Sequence, residues 1–169
     1  MMERLSLVSI ISIVLMTSCI KDDHMGADLK TGDMLPDFEV QMSDASVVSD
    51  DSLKGSVSVV MFFSTACPDC RQVLPVVQEI YDEYSSEGVV FGLISREQNK
   101  EDIDEYWMSN DLDMPYSAQK NRSIYEKFAK SGIPRIYIND KDGIIRYIYT
   151  DDTVPSYSEL KSSLDDLIH

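Results

Sequence analysis

Histidine, cysteine and positive charge are all scarce in this 169-residue chain, and each scarcity removes a class of function. A tetrahedral zinc site takes about four ligands. Cys67 and Cys70 could supply two, but the only histidines, His24 and His169, lie near the two ends of the chain, so no metal is expected. Fifteen Lys and Arg stand against thirty Asp and Glu, for a formal net charge of −15. With no basic stripe to displace counterions, the sequence argues against nucleic acid and anionic headgroups as partners. The turn INDKDG fails as a calcium loop, because Ile138 and Tyr149 occupy its first and twelfth ligand positions. No internal repeat is visible, and no apolar run reaches the roughly 20 residues that span a bilayer. What remains is ordinary for a globular protein: 43% hydrophobic and 27% charged residues, enough for one domain and a short appendage.

The appendage is N-terminal. Arg4 supplies a short positive region, and LSLVSIISIVLM (residues 5–16) supplies a twelve-residue, largely apolar run of the length of a secretory signal. Thr17, Ser18 and Cys19 follow, and a small residue directly before cysteine resembles the lipobox of bacterial lipoproteins, with Met16 where leucine is usual. That resemblance implies cleavage after residue 18, lipidation of Cys19 and anchorage at a membrane surface by more than one acyl chain. The other reading is an ordinary signal peptide with an incidental cysteine. With Cys19 acylated, Cys67 and Cys70 could pair only with each other. The stretch CIKDD resembles an acidic surface-export signal of lipoproteins of some Gram-negative bacteria; otherwise residues 19–31 read as an acidic flexible tether. The domain boundaries expected are thus 1–18 signal peptide, 19–31 tether and 32–169 folded domain.

Within 32–169, residues 38–41 and 45–48 look like short strands, with a turn at Lys54–Gly55. VSVVMFF (57–63) is a continuous β-branched and aromatic run, suited to a strand buried on both faces. From 71 to 88 the apolar residues recur at helical spacing, interrupted by Pro75, which should kink the helix, and stopped by Gly88. Residues 89–95 form a second buried strand, and 99–110 a capped amphipathic helix. Then come a short extended piece at MPYSAQ, a helix over 123–132 ending in glycine, a hairpin around 139–143, and a last helix over 156–168. In that helix Leu160, Leu164 and Leu167 share a face. Strands alternating with helices predict an α/β sandwich around one mixed central sheet.

The cysteines stand where the 57–63 strand ends, in FFSTACPDCRQVLP. They could clip a metal, staple the fold or act as a redox couple. A disulfide closing so short a loop removes little chain entropy, so stability is a poor reason for it. A strand–turn–helix order instead puts Cys67 at a helix N-terminus, where the dipole and free N–H groups favour a thiolate. Cys70, one turn inward, would then be the resolving thiol.

Three segments carry a further resemblance: GDMLPDFEV, FFSTACPDCRQVLP and SGIPRIYIND. Together the chain resembles the thioredoxin superfamily, and within it the exported TlpA-like thiol-disulfide oxidoreductases. The likeness implies a thioredoxin-like three-layer sandwich, and an active-site loop holding Pro68 and Asp69 between attacking Cys67 and resolving Cys70. It also implies a cis-proline at Pro134 facing the disulfide, and substrate pairing through the Ile133 backbone. No cofactor is implied. The partners implied are disulfide- or thiol-bearing exported proteins and a membrane or periplasmic thiol electron donor, met at the cell envelope on the periplasmic or outer side.

This chain departs from the family pattern in ways that matter. Ala66 stands where tryptophan is usual before the first cysteine. Met61 and Val73 stand where related proteins place the carboxylate that would deprotonate Cys70. Asp69 puts negative charge near the developing thiolate, opposing the dipole. The expected couple is therefore reducing, and a potential near −120 mV would refute that. Trp107 and Tyr106 read as core or groove packing, and one of Phe62 and Phe63 as a floor beneath the cysteines. Arg71 reads as a neighbour of the thiolate or an exposed residue, and Arg135 as a partner contact. Two alternatives stay open. One is a thiol peroxidase of the same fold, for which Ser64 matches the usual Thr/Ser but Val60 replaces the usual proline. The other is a non-catalytic binding lipoprotein.

Overall fold

The computed structural model describes residues 28–169. The signal peptide, Cys19 and His24 lie outside them. Residues 28–31, assigned to the tether from sequence, are held by the domain. The Leu29 N–H donates to Phe128 O at 3.0 Å, and Asp28 accepts from the Lys130 N–H at 2.9 Å. The folded unit therefore begins upstream of Gly32.

A five-stranded sheet runs in the order β5–β4–β3–β6–β7, with β3 at its centre. β3 (Ser58–Phe63) and β4 (Val90–Ser95) pair in parallel, as do β4 and β5 (Tyr116–Ser117). β6 (Arg135–Asn139) and β7 (Ile145–Tyr149) add antiparallel strands on the other side of β3. All six residues of β3 are buried, as a central strand covered on both faces must be.

Register assigns the two faces. Met61 and Phe63 share a face with Leu93, Phe91, Ile136 and Ile138. Three helices cover that face: α2 (Pro68–Tyr84), α3 (Lys100–Ser109) and α4 (Tyr157–Ile168). Tyr81 of α2 meets Phe91 edge-on at 5.2 Å, Trp107 of α3 stacks on Phe63 at 5.2 Å, and Asp166 of α4 accepts from Tyr147 at 2.7 Å. The opposite face, with Val60, Phe62, Gly92 and Tyr137, has no long helix. A separate hairpin of β1 (Glu39–Gln41) and β2 (Val47–Ser49), the four-residue α1 (Asp50–Leu53) and a 3-10 turn at Tyr125–Lys127 close it. Phe62, Phe38 and Phe128 interlock there at ring distances of 4.8–5.3 Å. A Cβ at Gly92 would come within 3.1 Å of Val48, so the absent side chain lets the hairpin approach.

Two elements differ from expectation. Residues 123–132 do not form a helix: only Tyr125–Lys127 turns, as 3-10. The residues this segment buries are Tyr125, Phe128 and Ala129, and in the tighter helix side chains three apart eclipse, which lets Tyr125 and Phe128 both reach Phe62. Helix α1 is additional. Ser49 caps it reciprocally with Ser52, a capping box between the stretches read as strand (45–48) and turn (Lys54–Gly55). Elsewhere the local signals act as written. Asn99 caps α3, Ser156 and Glu159 box α4, and Gly88 takes the left-handed φ of +89° that stops α2 and its 3-10 extension. α2 continues across Pro75 as one element, with that proline on its exposed side. Among the described residues no helix is long and apolar enough to cross a membrane.

Candidate active site

At the carboxyl end of β3 the chain turns through Ser64, Thr65 and Ala66 into α2. Cys67 is the N-cap of that helix, with extended φ and ψ of −86° and 123°, and Pro68 occupies its first position. Proline there forfeits only an N–H that has no intrahelical partner. Pro68 and Asp69 therefore belong to the first helical turn rather than to a loop. Cys67 is half-buried; Cys70, on the inward face one turn on, is fully buried. Both are free thiols.

The loop before β6 closes over the first sulfur. Ile133–Pro134 is a cis peptide, and Cys67 Sγ donates to Ile133 O at 3.4 Å. Gly132, at φ +85°, starts that turn, and Tyr125 donates to its carbonyl at 2.8 Å. The structure thus brings together Cys67, Cys70, Pro68, Asp69, Ile133 and Pro134. Arg135 points away from the sulfurs: it donates to Ser131 O and pairs with Asp28 at 3.5 Å.

Burial pushes the Cys70 thiol far above the ordinary range. A hydrogen bond from the Ser64 backbone opposes this, while the neighbouring Cys67 sulfur and the Asp69 charge add to it. Met61 and Val73 are wholly buried and apolar, and among the described residues the carboxylate that acts on Cys70 is Asp69, by charge alone. Beside α2, Trp107 is buried, donating to Met114 O at 2.9 Å and packing at a tilt against the rings of Phe63 and Tyr116. It is a packing residue. Tyr106 lies beneath the Arg71 guanidinium at 5.7 Å. Among the described residues no cluster of three or more His, Cys, Asp or Glu could hold a metal.

A polar clamp that the sequence did not disclose fixes the turn before Cys67. Gln98 Oε1 accepts from the Thr65 N–H at 2.9 Å and from the Ser64 hydroxyl at 3.4 Å, and Gln98 Nε2 donates to Thr65 Oγ1. Arg71 Nε donates to Thr65 O. All three polar groups of the nearly buried Thr65 are thereby satisfied. Gln98 and Thr65 are 33 residues apart, and no local pattern connects them.

Comparison with known proteins bears on the fold and on the class of reaction. The thiol-disulfide oxidoreductase ResA of Oceanobacillus iheyensis is 29% identical over 135 residues, covering 78% of this chain and 69% of the relative. The thioredoxin-like protein YneN of Bacillus subtilis is 25% identical over 139 residues, 81% of each. The crystal structure of the thioredoxin domain of a thiol-disulfide oxidoreductase from Bacteroides vulgatus superposes with a TM-score of 0.71 at 20% identity. It covers 84% of this chain and 100% of that one, a likeness of fold. The AhpC/TSA family model matches residues 31–148, from the entry segment through the cysteines and the cis-proline loop into β7, and the chain belongs to that family.

Proposed function

We propose that this protein is a thiol-disulfide oxidoreductase of the cell envelope, held at a membrane through lipidated Cys19, that reduces or exchanges disulfides of exported proteins. Cys67 attacks a substrate disulfide, forms a mixed disulfide and expels one substrate thiolate. Cys70 then attacks the Cys67 sulfur and releases the second thiolate, leaving the Cys67–Cys70 disulfide. A thiol donor at the envelope would return it to the reduced state. The observation that carries this reading is the placement of the two sulfurs: one half-exposed at a helix N-terminus against the Ile133 carbonyl, the other buried one turn behind it. An incoming chain lying along Ile133 and Pro134 would meet Cys67 and be resolved from inside. The relatives' names support the reaction class. The lipobox-like residues before Cys19 support the anchor, and an exported location follows from the same segment.

Reduction of insulin by dithiothreitol, followed as turbidity with and without the full-length protein in detergent, tests the reading. Acceleration that Cys67→Ser abolishes while the fold persists supports it. Consumption of hydrogen peroxide without insulin reduction would assign a peroxidase instead, and inertness in both assays a binding module. Metabolic labelling with a fatty acid, lost in Cys19→Ala, tests the anchor separately.

A further inference from the structure

The arginines of the described residues fall into two groups. Arg122, Arg135 and Arg146 pair with carboxylates, whereas Arg71 and Arg96 do not, and both of these stand beside the turn that leads to Cys67. Arg71 is exposed on the helical face, over Tyr106. Arg96 is half-buried on the other face. It directly follows β4, and its N–H donates to Phe63 O at 2.8 Å, which sets it alongside Ser64. Its guanidinium rests over the Tyr125 ring, 6.0 Å from the centroid. Tyr125 donates to Gly132 O at 2.8 Å, and the next carbonyl, that of Ile133, meets the Cys67 sulfur at 3.4 Å. One aromatic ring therefore separates this cation from the backbone along which a substrate would lie.

The fold leaves that cation unneutralised. Nε of Arg96 is buried with no hydrogen-bond partner, a state that few polar groups of folded proteins adopt. The adjacent carboxylate, Glu97, is engaged by Arg122, whose Nε donates to it at 2.7 Å. A partly desolvated guanidinium attracts an anion more strongly than one in open water, and its planar fork matches a carboxylate. We infer that Arg96 is a specificity-determining residue, which selects disulfides whose cysteine has Asp or Glu beside it. The inference rests on the exchange function proposed above and names a substrate class for it. The net charge of −15 works in the opposite direction, since the long-range field repels an acidic peptide. A preference for acid must then come from a local contact.

Three peptide disulfides, alike except for Glu, Gln or Lys beside each cysteine, test this. Each is a self-quenched fluorescent homodimer that brightens on reduction. The reduced full-length protein in detergent reacts with it in a single turnover. Cys67 thiolate attacks and one peptide leaves as its thiolate; Cys70 loses its proton to water, closes the Cys67–Cys70 disulfide and expels the second peptide. Two protein thiols are oxidised and one peptide disulfide is reduced. Each rate is divided by that of free mercaptoethanol with the same peptide, which removes the effect of the added charge on the disulfide itself. At about 0.15 M salt, where screening acts beyond about 8 Å, the Glu peptide should react about fivefold faster than the Gln peptide, the upper range for a surface ion pair. The Lys peptide should be the slowest. In Arg96→Gln the Glu-to-Gln ratio should fall below twofold, and Arg96→Glu should reverse the order. These are ratios within one protein, so a general loss of rate or of folded fraction does not move them. A ratio near one in the parent, which needs no variant, or an undiminished ratio in Arg96→Gln would overturn the inference. Reaction with none of the three peptides would defeat the exchange reading itself.

Discussion

Raising the pH from 7 to 9 should speed closure of the Cys67–Cys70 disulfide about a hundredfold, without a plateau. Only the thiolate attacks, and burial holds the Cys70 thiol far above the ordinary cysteine range. Below a group's pKa its deprotonated fraction grows tenfold per unit, so two units give two decades. A cysteine of unperturbed pKa near 8.5 would instead bend over within this window. The sign follows from the causes that persist in the mixed disulfide: desolvation, the largest, and Asp69 both disfavour the anion. The assay mixes the reduced protein with dithionitrobenzoic acid. Cys67 attack releases one thionitrobenzoate, and Cys70 attack on the resulting mixed disulfide releases the second. The second release is followed at half-unit steps of pH with the first, in the same traces, as an internal control. A plateau at or below pH 8.5 would refute the reasoning, because it would require Cys70 to ionise as if it were exposed.

Other expectations concern the scaffold that holds the sulfurs. Gly132→Ala places a side chain at φ +85° and into contact with the Asp151 carboxylate. The left-handed conformation alone should cost about 1–2 kcal/mol, read as a lower urea midpoint, and insulin reduction should slow because this turn carries Ile133. Trp107→Ala removes the ring between Phe63 and Tyr116 and its bond to Met114 O. A loss of about 3–5 kcal/mol is expected by urea unfolding, and a loss under 1 kcal/mol would contradict its assignment to the core. Ser156→Ala breaks the α4 capping box, for about 1 kcal/mol, with little effect on the rate of thiol exchange.

Much of this architecture was legible because it rests on local rules. The unbroken apolar run of β3, the stop at Gly88, the caps at Asn99 and Ser156 and the β6–β7 hairpin are short-range signals that the tertiary structure leaves standing. The segment around Tyr125 was misread because its apolar spacing permits a helix, while packing of Tyr125 and Phe128 on Phe62 selects a tighter turn. Helix α1 went unread although Ser49 and Ser52 form a capping pair, because its four residues fall between the strand read at 45–48 and the turn read at Lys54–Gly55. At the site, the resemblance implied a cis-proline at Pro134 facing the cysteines, and the structure has that cis peptide with Cys67 against the Ile133 carbonyl. Gln98 was not legible, because its contact with Thr65 exists only once β3 and β4 lie side by side. The distribution of layers was also beyond the sequence. All three long helices cover one face, and the register of β3 against β4 and β6 decides which.

The account stands or falls on covalent capture at Cys67. In the Cys70→Ser protein, incubated with an oxidised peptide disulfide and quenched with acid, intact-mass and peptide mapping should find one substrate half joined to Cys67 in most molecules. Cys67→Ser should carry none. Absence of that adduct, or its appearance on Cys70 when Cys67 is replaced, would contradict the assignment of attacker and resolver.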